Sequence, residues 1–403
     1  MSLAARTADI AASSLSTEVR AEAKALLRWW AERAPDPVHG GFHGELDATG
    51  RPVADAPRSI ILNTRLLWFF SAMASYLTSD EAAALARRAF GYLRDHFLDP
   101  NHGGVYWLLS ASGQVIDARK QGYAQAFAVY ACAEYYRATG DAAALELARR
   151  LQREIEDRFW EPTYGGYLEA LSQGWHPIDD QRLSDKDADW PKTMNTHLHI
   201  LEAYTNLHRV APDAASRKAL LRALTVFVDR FAGDGQHLRL FFEMDWTDQT
   251  TAISYGHDIE AAWLMWEGAE ALDDPVQLER IRALTIGLSY AALDQGFNSR
   301  GGLSYERPFG GTSDPDGEWW GQAEGLVGFV NAWQLTSDGR FLEAAEQLWR
   351  YLKAQYGAGS GDEWTWYGAD AARPPVYKAG VWKCPYHNGR AMIELDKRLK
   401  AHT

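Results

Sequence analysis

A pair of glycines recurs along this chain at a nearly constant interval, and that recurrence limits the folds open to it more than any other feature. Gly40-Gly41 opens GGFHGELDATG, Gly103-Gly104 opens GGVYWLLSASG, Gly165-Gly166 opens GGYLEALSQG and Gly301-Gly302 opens GGLSYERPFGG. Weaker counterparts are DGQHLRLFFEMD after Gly233 and GDEWTWYGADAARP from Gly361. Each reads as a short β-hairpin, because apolar and polar residues alternate and Gly supplies the positive φ of a tight turn. Successive starts lie about 60–70 residues apart, the length of two helices and their connections. Six such units fill the chain.

Between the hairpins the pattern is helical. Ser59 to Leu77 is apolar nearly all round and predicts a buried helix, whereas Glu81 to Phe97 carries apolar residues at helical spacing with charges elsewhere, as an outer helix does. The alternation continues with Gln121 to Thr139 then Ala142 to Phe159, and with Thr193 to Val210 then Ala215 to Phe231. It ends with His257 to Leu272 then Val276 to Leu293, and Trp319 to Leu335 then Phe341 to Tyr356. A last inner helix from about Pro385 to Arg398 would close against an N-terminal one from about Ser16 to Arg33. The expectation is an all-α chain, an (α/α)6 barrel with short β-hairpins between helices. No Pro/Ser-rich linker interrupts it, so residues 1–403 are read as one catalytic domain. An open superhelical solenoid is the alternative, disfavoured by how apolar the inner helices are.

Composition narrows the partners. A net charge of −13 without a basic cluster disfavours nucleic acid and anionic membrane surfaces. The 17 Trp, 18 Tyr and 15 Phe suit either a large core or a pocket that stacks on sugar rings, and composition does not separate the two. No secretory pattern opens the chain and no apolar run is expected to reach a membrane span. With only Cys132 and Cys384, neither a disulfide framework nor a thiolate metal cluster is expected. Cytoplasmic residence with reduced thiols follows as the expectation, as a monomer or homodimer.

All inner helices of such a barrel run the same way, so their N-terminal ends gather at one mouth. Polar residues on otherwise buried helices fall near that point: Arg65, Tyr123 with Gln125, Asn195 with His197, His257 with Glu260, Trp320 with Glu324, and His387. Such groups are costly unless paired or functional, and six at one phase predict a shared pocket. Each has a plainer reading: Arg65 as partner of a structural Glu, Trp320 as core packing, His387 as part of a helix start. His199 lies about 200° around the helix from His197 and is expected to face away as a core residue. His257 and Glu260 share a face, so Glu260 is expected to orient the imidazole. Trp320 and Glu324 likewise share one, an arrangement suited to a sugar's apolar face and hydroxyls. HExxH and CxxC are absent, and no metal is expected.

The stretches LNTRLLWFFSA, GGVYWLLSASG, KQGYAQAFAVYACAEYYRATGD, MNTHLHILEAYTNL, SYGHDIEAAWL, WWGQAEGLVGF and WKCPYHNGR carry a resemblance spanning nearly the whole chain in order. The chain resembles the N-acylglucosamine 2-epimerase family, and within it is most similar to cellobiose 2-epimerases. That resemblance implies cofactor-independent epimerisation at C2 of an aldose. It makes His257 and His387 the acid–base pair, and gives Arg65 and His197 to the O1/O2 region of the opened sugar. Tyr123, Asn195, Glu260, Trp320 and Glu324 would line the site, with Trp382 as a stacking surface. Gly389 and the loop YGADAARPPVYKAG depart from the family pattern and bear on substrate size. An aldose–ketose isomerase of the same superfamily would share the enediolate and reprotonate C1. A glycoside hydrolase would need two separated carboxylates, and a non-catalytic sugar-binding protein would leave the histidines unused.

Overall fold

The computed structural model describes residues 3–184 and 187–402. In chain order its helices are α1 (Leu3–Arg33), α2 (Ile60–Leu77), α3 (Asp80–Tyr92), α4 (Gly122–Thr139), α5 (Ala142–Glu154), α6 (Met194–Val210), α7 (Ala214–Val226), α8 (Tyr255–Leu272), α9 (Pro275–Ala291), α10 (Trp319–Thr336), α11 (Gly339–Gln355) and α12 (Tyr386–His402). The even-numbered helices form the inner ring: α2 packs on α4, α4 on α6, α6 on α8, α8 on α10, α10 on α12, and α12 returns to α2. The odd-numbered helices pack outside it, with α1 against α12. The ring closes as an (α/α)6 barrel, which settles barrel against solenoid.

Local chemistry sets the boundaries. The outer helices α3, α5, α7, α9 and α11 begin on Ser79, Asp141, Asp213, Asp274 and Asp338, whose side chains accept backbone N–H groups of the first turn. Four of them end in a wider π turn, at residues 93–97, 155–159, 227–231 and 292–296, which a 3.6-residue period does not announce. Helix α2 is apolar and long enough by composition to cross a membrane, contrary to the sequence expectation. In the barrel 78% of it is buried by neighbouring helices, as a core helix is.

The hairpin expectation needs a correction. Across most Gly-Gly turns the chain makes a single bridge, Leu98 with Val105, Trp160 with Tyr167 and Phe297 with Leu303. The longer pairings join successive units: the strand entering α4 (Lys120–Gln121) pairs with Ala170–Leu171, that entering α6 (Lys192–Thr193) with Phe241–Phe242, and that entering α8 (Ala252–Ser254) with Glu306–Pro308. Leu46 with Ala379 closes the circuit. Only Leu108–Leu109 with Val115–Asp117 is a hairpin proper among the described residues. The turns therefore stitch each unit to the next at the mouth where the inner helices begin.

Gly166 shows why the repeat demands glycine. Its φ is +90°, and a Cβ there would lie 2.4 Å from the Trp246 indole. Gly166→Ala is expected to destabilise the fold by more than the roughly 1–3 kcal/mol of backbone strain alone, lowering the thermal midpoint. An unchanged melting curve would show that this turn does not hold the barrel. Gly389, where a bulkier residue was expected, is also sterically fixed. A Cβ would sit 2.5 Å from the Phe69 ring, so its absence lets α12 close on α2.

Candidate active site

The helix starts impose a common register. In α4, α6, α8 and α10 the fourth residue reaches outward to a turn: Gln125, His197, Asp258 and Gln322. Gln125 accepts the Val105 N–H at 2.8 Å and donates to the Val105 carbonyl at 3.1 Å. Gln322 does the same with Leu303, at 2.8 and 2.7 Å. His197 Nε2 accepts the Tyr167 N–H at 2.8 Å while Nδ1–H donates to the Thr193 carbonyl at 2.7 Å. Val105, Tyr167 and Leu303 each directly follow a Gly-Gly pair. The fourth position thus pins the turns.

The sixth residue of these four helices and of α2 points to the barrel axis. It is Arg65 in α2, Phe127 in α4, His199 in α6, Glu260 in α8 and Glu324 in α10. The expected roles of His197 and His199 are therefore exchanged. Both nitrogens of His197 are spent on backbone, and it packs on Phe231 at 4.8 Å, away from the cavity. His199 lines the cavity instead. The two rings do face opposite ways; the sequence reading took the wrong one inward. Aligning the inner helices at their starts would have found His199, since it falls in register with Arg65, Glu260 and Glu324. Gln125 is corrected on the same ground.

The cavity has a volume of about 340 Å³, within the usual range for small-molecule sites. Arg65, Asn195, His199, His257, Glu260, Trp320, Trp382 and His387 all line it, so the convergence of inner-helix starts holds. Tyr123 stands just behind, its hydroxyl accepting from Arg65 Nη2 at 2.6 Å. Arg65 Nη1 donates to the Trp382 carbonyl at 3.3 Å, and Phe127 and Tyr386 flank its guanidinium at 4.5 and 4.8 Å. Trp320 lies 4.7 Å from the His257 ring and 5.8 Å from that of His387, spanning the two. Asp187 and Tyr305 also line the cavity and were missed, because both sit in connections outside the helical register.

Two further expectations change. Glu260 does not orient His257, whose Nδ1 meets the Ser254 hydroxyl at 2.8 Å. Glu324 does not present itself to the cavity. It lies behind His387, with Oε1 2.6 Å from His387 Nδ1 and Oε2 accepting from Trp263 Nε1 at 3.0 Å. Arg390, absent from the sequence reading, is buried between them and donates from Nη2 to Glu260 at 2.9 Å and to Glu324 at 2.7 Å.

Burial governs the charges. It holds His257 at about 3 and drives His199 below the usual imidazole range. Burial, then the Arg65 and Arg390 cations, hold His387 well below that range. Burial and the neighbouring Glu324 charge push Glu260 far above the carboxylate range. Burial also raises Glu324, against which the Arg390 cation works. Glu260, Glu324 and His387 bring oxygen and nitrogen atoms within 4.8 Å of one another, but the Arg390 guanidinium already spans both carboxylates. A cation placed there would meet that positive charge.

A larger cavity of about 500 Å³ opens at the opposite mouth, where the inner helices end. Its charged lining is internally matched: Arg137 pairs with Glu134, Arg209 with Glu267 and Lys397 with Glu394. The imidazoles of His199, His257 and His387 line the smaller cavity.

Residues 40–387 match the N-acylglucosamine 2-epimerase family throughout. The chain belongs to that family. The cellobiose 2-epimerase of Bacteroides fragilis is 42% identical over 374 residues, covering 92% of this chain and 95% of that one. The structure of cellobiose 2-epimerase from Bacillus thermoamylovorans superposes with a TM-score of 0.89 at 34% identity, over 96% of this chain and all of that one. More distantly, the D-mannose isomerase of Thermobifida fusca is 29% identical over 63% of this chain and 62% of its own length. Membership and full-length agreement make the chain a sugar 2-epimerase of this family, an isomerase by class.

Proposed function

We propose that this protein inverts C2 at the reducing end of a β-1,4-linked disaccharide such as cellobiose, interconverting glucose- and mannose-type sugars without a cofactor. The observation that carries the reading is the pair of buried imidazoles, His257 and His387, held around one tryptophan beside the Arg65 guanidinium. The C2 proton of an aldose becomes acidic once the ring opens and C1 is an aldehyde. Its removal leaves an enediolate whose charge Arg65, with His199 in the place first given to His197, would stabilise. Inversion then needs a proton on the opposite face. His257, against a neutral hydroxyl, is built to start as the free base. His387, against the Glu324 carboxylate, is the ring whose protonated form has a partner; the negative charge of the enediolate would raise its affinity for a proton drawn from solvent, which it delivers to C2 while His257 releases the one it took. In the reverse direction the two exchange roles. Trp320 and Trp382 would hold the apolar faces of the sugar, and Asn195 its hydroxyls.

The hydrolase reading loses its footing in this geometry. Glu260 and Glu324 share one Arg390 nitrogen instead of flanking a space for a glycosidic bond. The reading extends to cytoplasmic residence, as a monomer or homodimer, with a small carbohydrate as the only partner.

Incubation of EDTA-treated enzyme with cellobiose, and separately with mannose, in D2O tests the proposal by proton NMR at C1 and C2. The expected result is deuterium at C2 with glucosyl-mannose appearing from cellobiose. Fructose from mannose without glucose would move the chain to the isomerase activity. Absence of exchange with either sugar would overturn the substrate class.

A further inference from the structure

Arg390 on α12 is 1% exposed, lining the larger cavity between the Trp263 and Tyr386 rings at 4.7 and 4.2 Å. Around it converge Glu202, Glu260 and Glu324 from α6, α8 and α10. Three buried carboxylates against one guanidinium would carry two surplus negative charges, and a proton on one of them halves that surplus. The hydrogen bonds identify which. Glu324 receives Arg390 Nη2 and His387 on Oε1 and Trp263 Nε1 on Oε2, and the arginine and the indole can only donate. Glu202 receives Arg390 Nη1 and the Tyr386 hydroxyl at 2.5 Å on Oε1, with His199 Nδ1 at 2.9 Å from Oε2. Both are surrounded as carboxylates are. Glu260 meets Arg390 through one oxygen and is the carboxyl left to hold the proton.

A carboxylate facing a ring nitrogen fixes the tautomer, because it can only accept. We propose that Arg390 is a positioning residue: its guanidinium holds Glu202 and Glu324 as carboxylates, and through them keeps the proton on Nδ1 of both His199 and His387. Their Nε2 atoms are thereby the nitrogens left for the cavity. One buried arginine thus sets two imidazoles on different helices, α6 and α12. His257, which answers to Ser254 instead, lies outside this control. The pKa directions agree: burial pushes Glu202 up, but the Arg390 cation and its hydrogen bonds outweigh that and hold it at about 2.

The proposal rests on the epimerase reading only for its kinetic arm. The first measurement is on the unaltered protein: ¹⁵N–¹H correlation of the imidazoles, with signals assigned by His199→Gln and His387→Gln. Both rings are expected as neutral Nδ1–H tautomers, and an Nε2–H tautomer at either overturns the proposal. The second uses Arg390→Lys, which keeps one charge but lacks the fork that reaches Glu202 and Glu324 together. It is expected to let both tautomers mix and to lower kcat by about 10–100-fold with KM within about threefold. Glu202→Gln should disturb His199 alone and Glu324→Gln His387 alone. A folded Arg390→Lys protein with both Nδ1–H signals and kcat intact would overturn the assignment. Should that variant fail to fold, the tautomers of the unaltered protein decide. Correct tautomers in a protein that exchanges no sugar proton would refute the epimerase reading and leave the positioning role standing.

Discussion

Exchange of the C2 proton is expected to fall by about 10²–10⁴-fold when either His257 or His387 is replaced by alanine, the span usual for loss of one general acid or base. KM should stay within about threefold, because Arg65, Trp320 and Trp382 still form the cavity wall. The two variants should lose the same reaction, since inversion needs a group on each face of the enediolate. Deuterium incorporation from D2O, read by NMR before net conversion, measures it. Near-normal exchange in both variants would exclude the acid–base pair. A pH profile adds an independent check. His257 is held at about 3 chiefly by burial, so it remains a free base far below the usual imidazole range. The acid limb of kcat/KM should therefore lie well under pH 6, and a limb at the ordinary histidine value would contradict the burial described.

The second large effect is a contrast between neighbours. His199→Gln is expected to cost about 10–100-fold in kcat, while His197→Gln leaves kcat nearly unchanged. Glutamine already serves in the register of His197, at Gln125 and Gln322, accepting a backbone N–H and donating to a backbone carbonyl. His197→Gln should also remove an acid sensitivity. Burial holds His197 at about 3 in the folded chain against 6.5 for the free side chain. Its contribution to stability is thus fully present above pH 6.5 and declines as pH falls toward 3, by up to about 1.4 kcal/mol per pH unit. Urea denaturation at pH 7 and pH 5 measures the difference between the two pH values, which should shrink in the variant. If His197→Gln abolishes turnover and His199→Gln does not, the axis-facing register is wrong.

Much of the architecture was legible because the two signals that encode it are strong and local. Helical periodicity marked every helix, with bounds within a few residues except at the start of α1, which begins at Leu3 instead of near Ser16, and the apolar surface of α2, α4 and α10 separated inner from outer. What stayed hidden depends on contacts between units. The pairing of Lys120–Gln121 with Ala170–Leu171 is a bond between turns some fifty residues apart, and alternation within one segment carries no trace of it. The π turns reflect packing at helix ends. Within the site, Arg65, His257, His387, Trp320 and Trp382 were found because polar or aromatic residues on apolar helices are conspicuous. His197 and His199 were both conspicuous, and only the phase relative to the other inner helices separates them. Glu260 and Glu324 were seen and given the wrong neighbours, since spacing of three or four residues reports one helix face and says nothing of a residue from α12 inserted between. Arg390 escaped notice because it lies in a sequence window already claimed by His387.

The division of each inner-helix start into a fourth residue that grips a turn and a sixth that faces the axis constrains how such chains can diverge. One residue gained or lost between the turn and the helix rotates everything after it by about 100°, moving the gripping group off its backbone partner and the axis group off the cavity together. Insertions just before α4, α6, α8 or α10 therefore damage folding and chemistry at once. Substitutions at the sixth position change the chemistry with the grip intact. Divergence in a barrel of this kind is channelled toward point replacement on the axis and length variation in the distal connections, and engineered libraries aimed at a new sugar should follow the same partition.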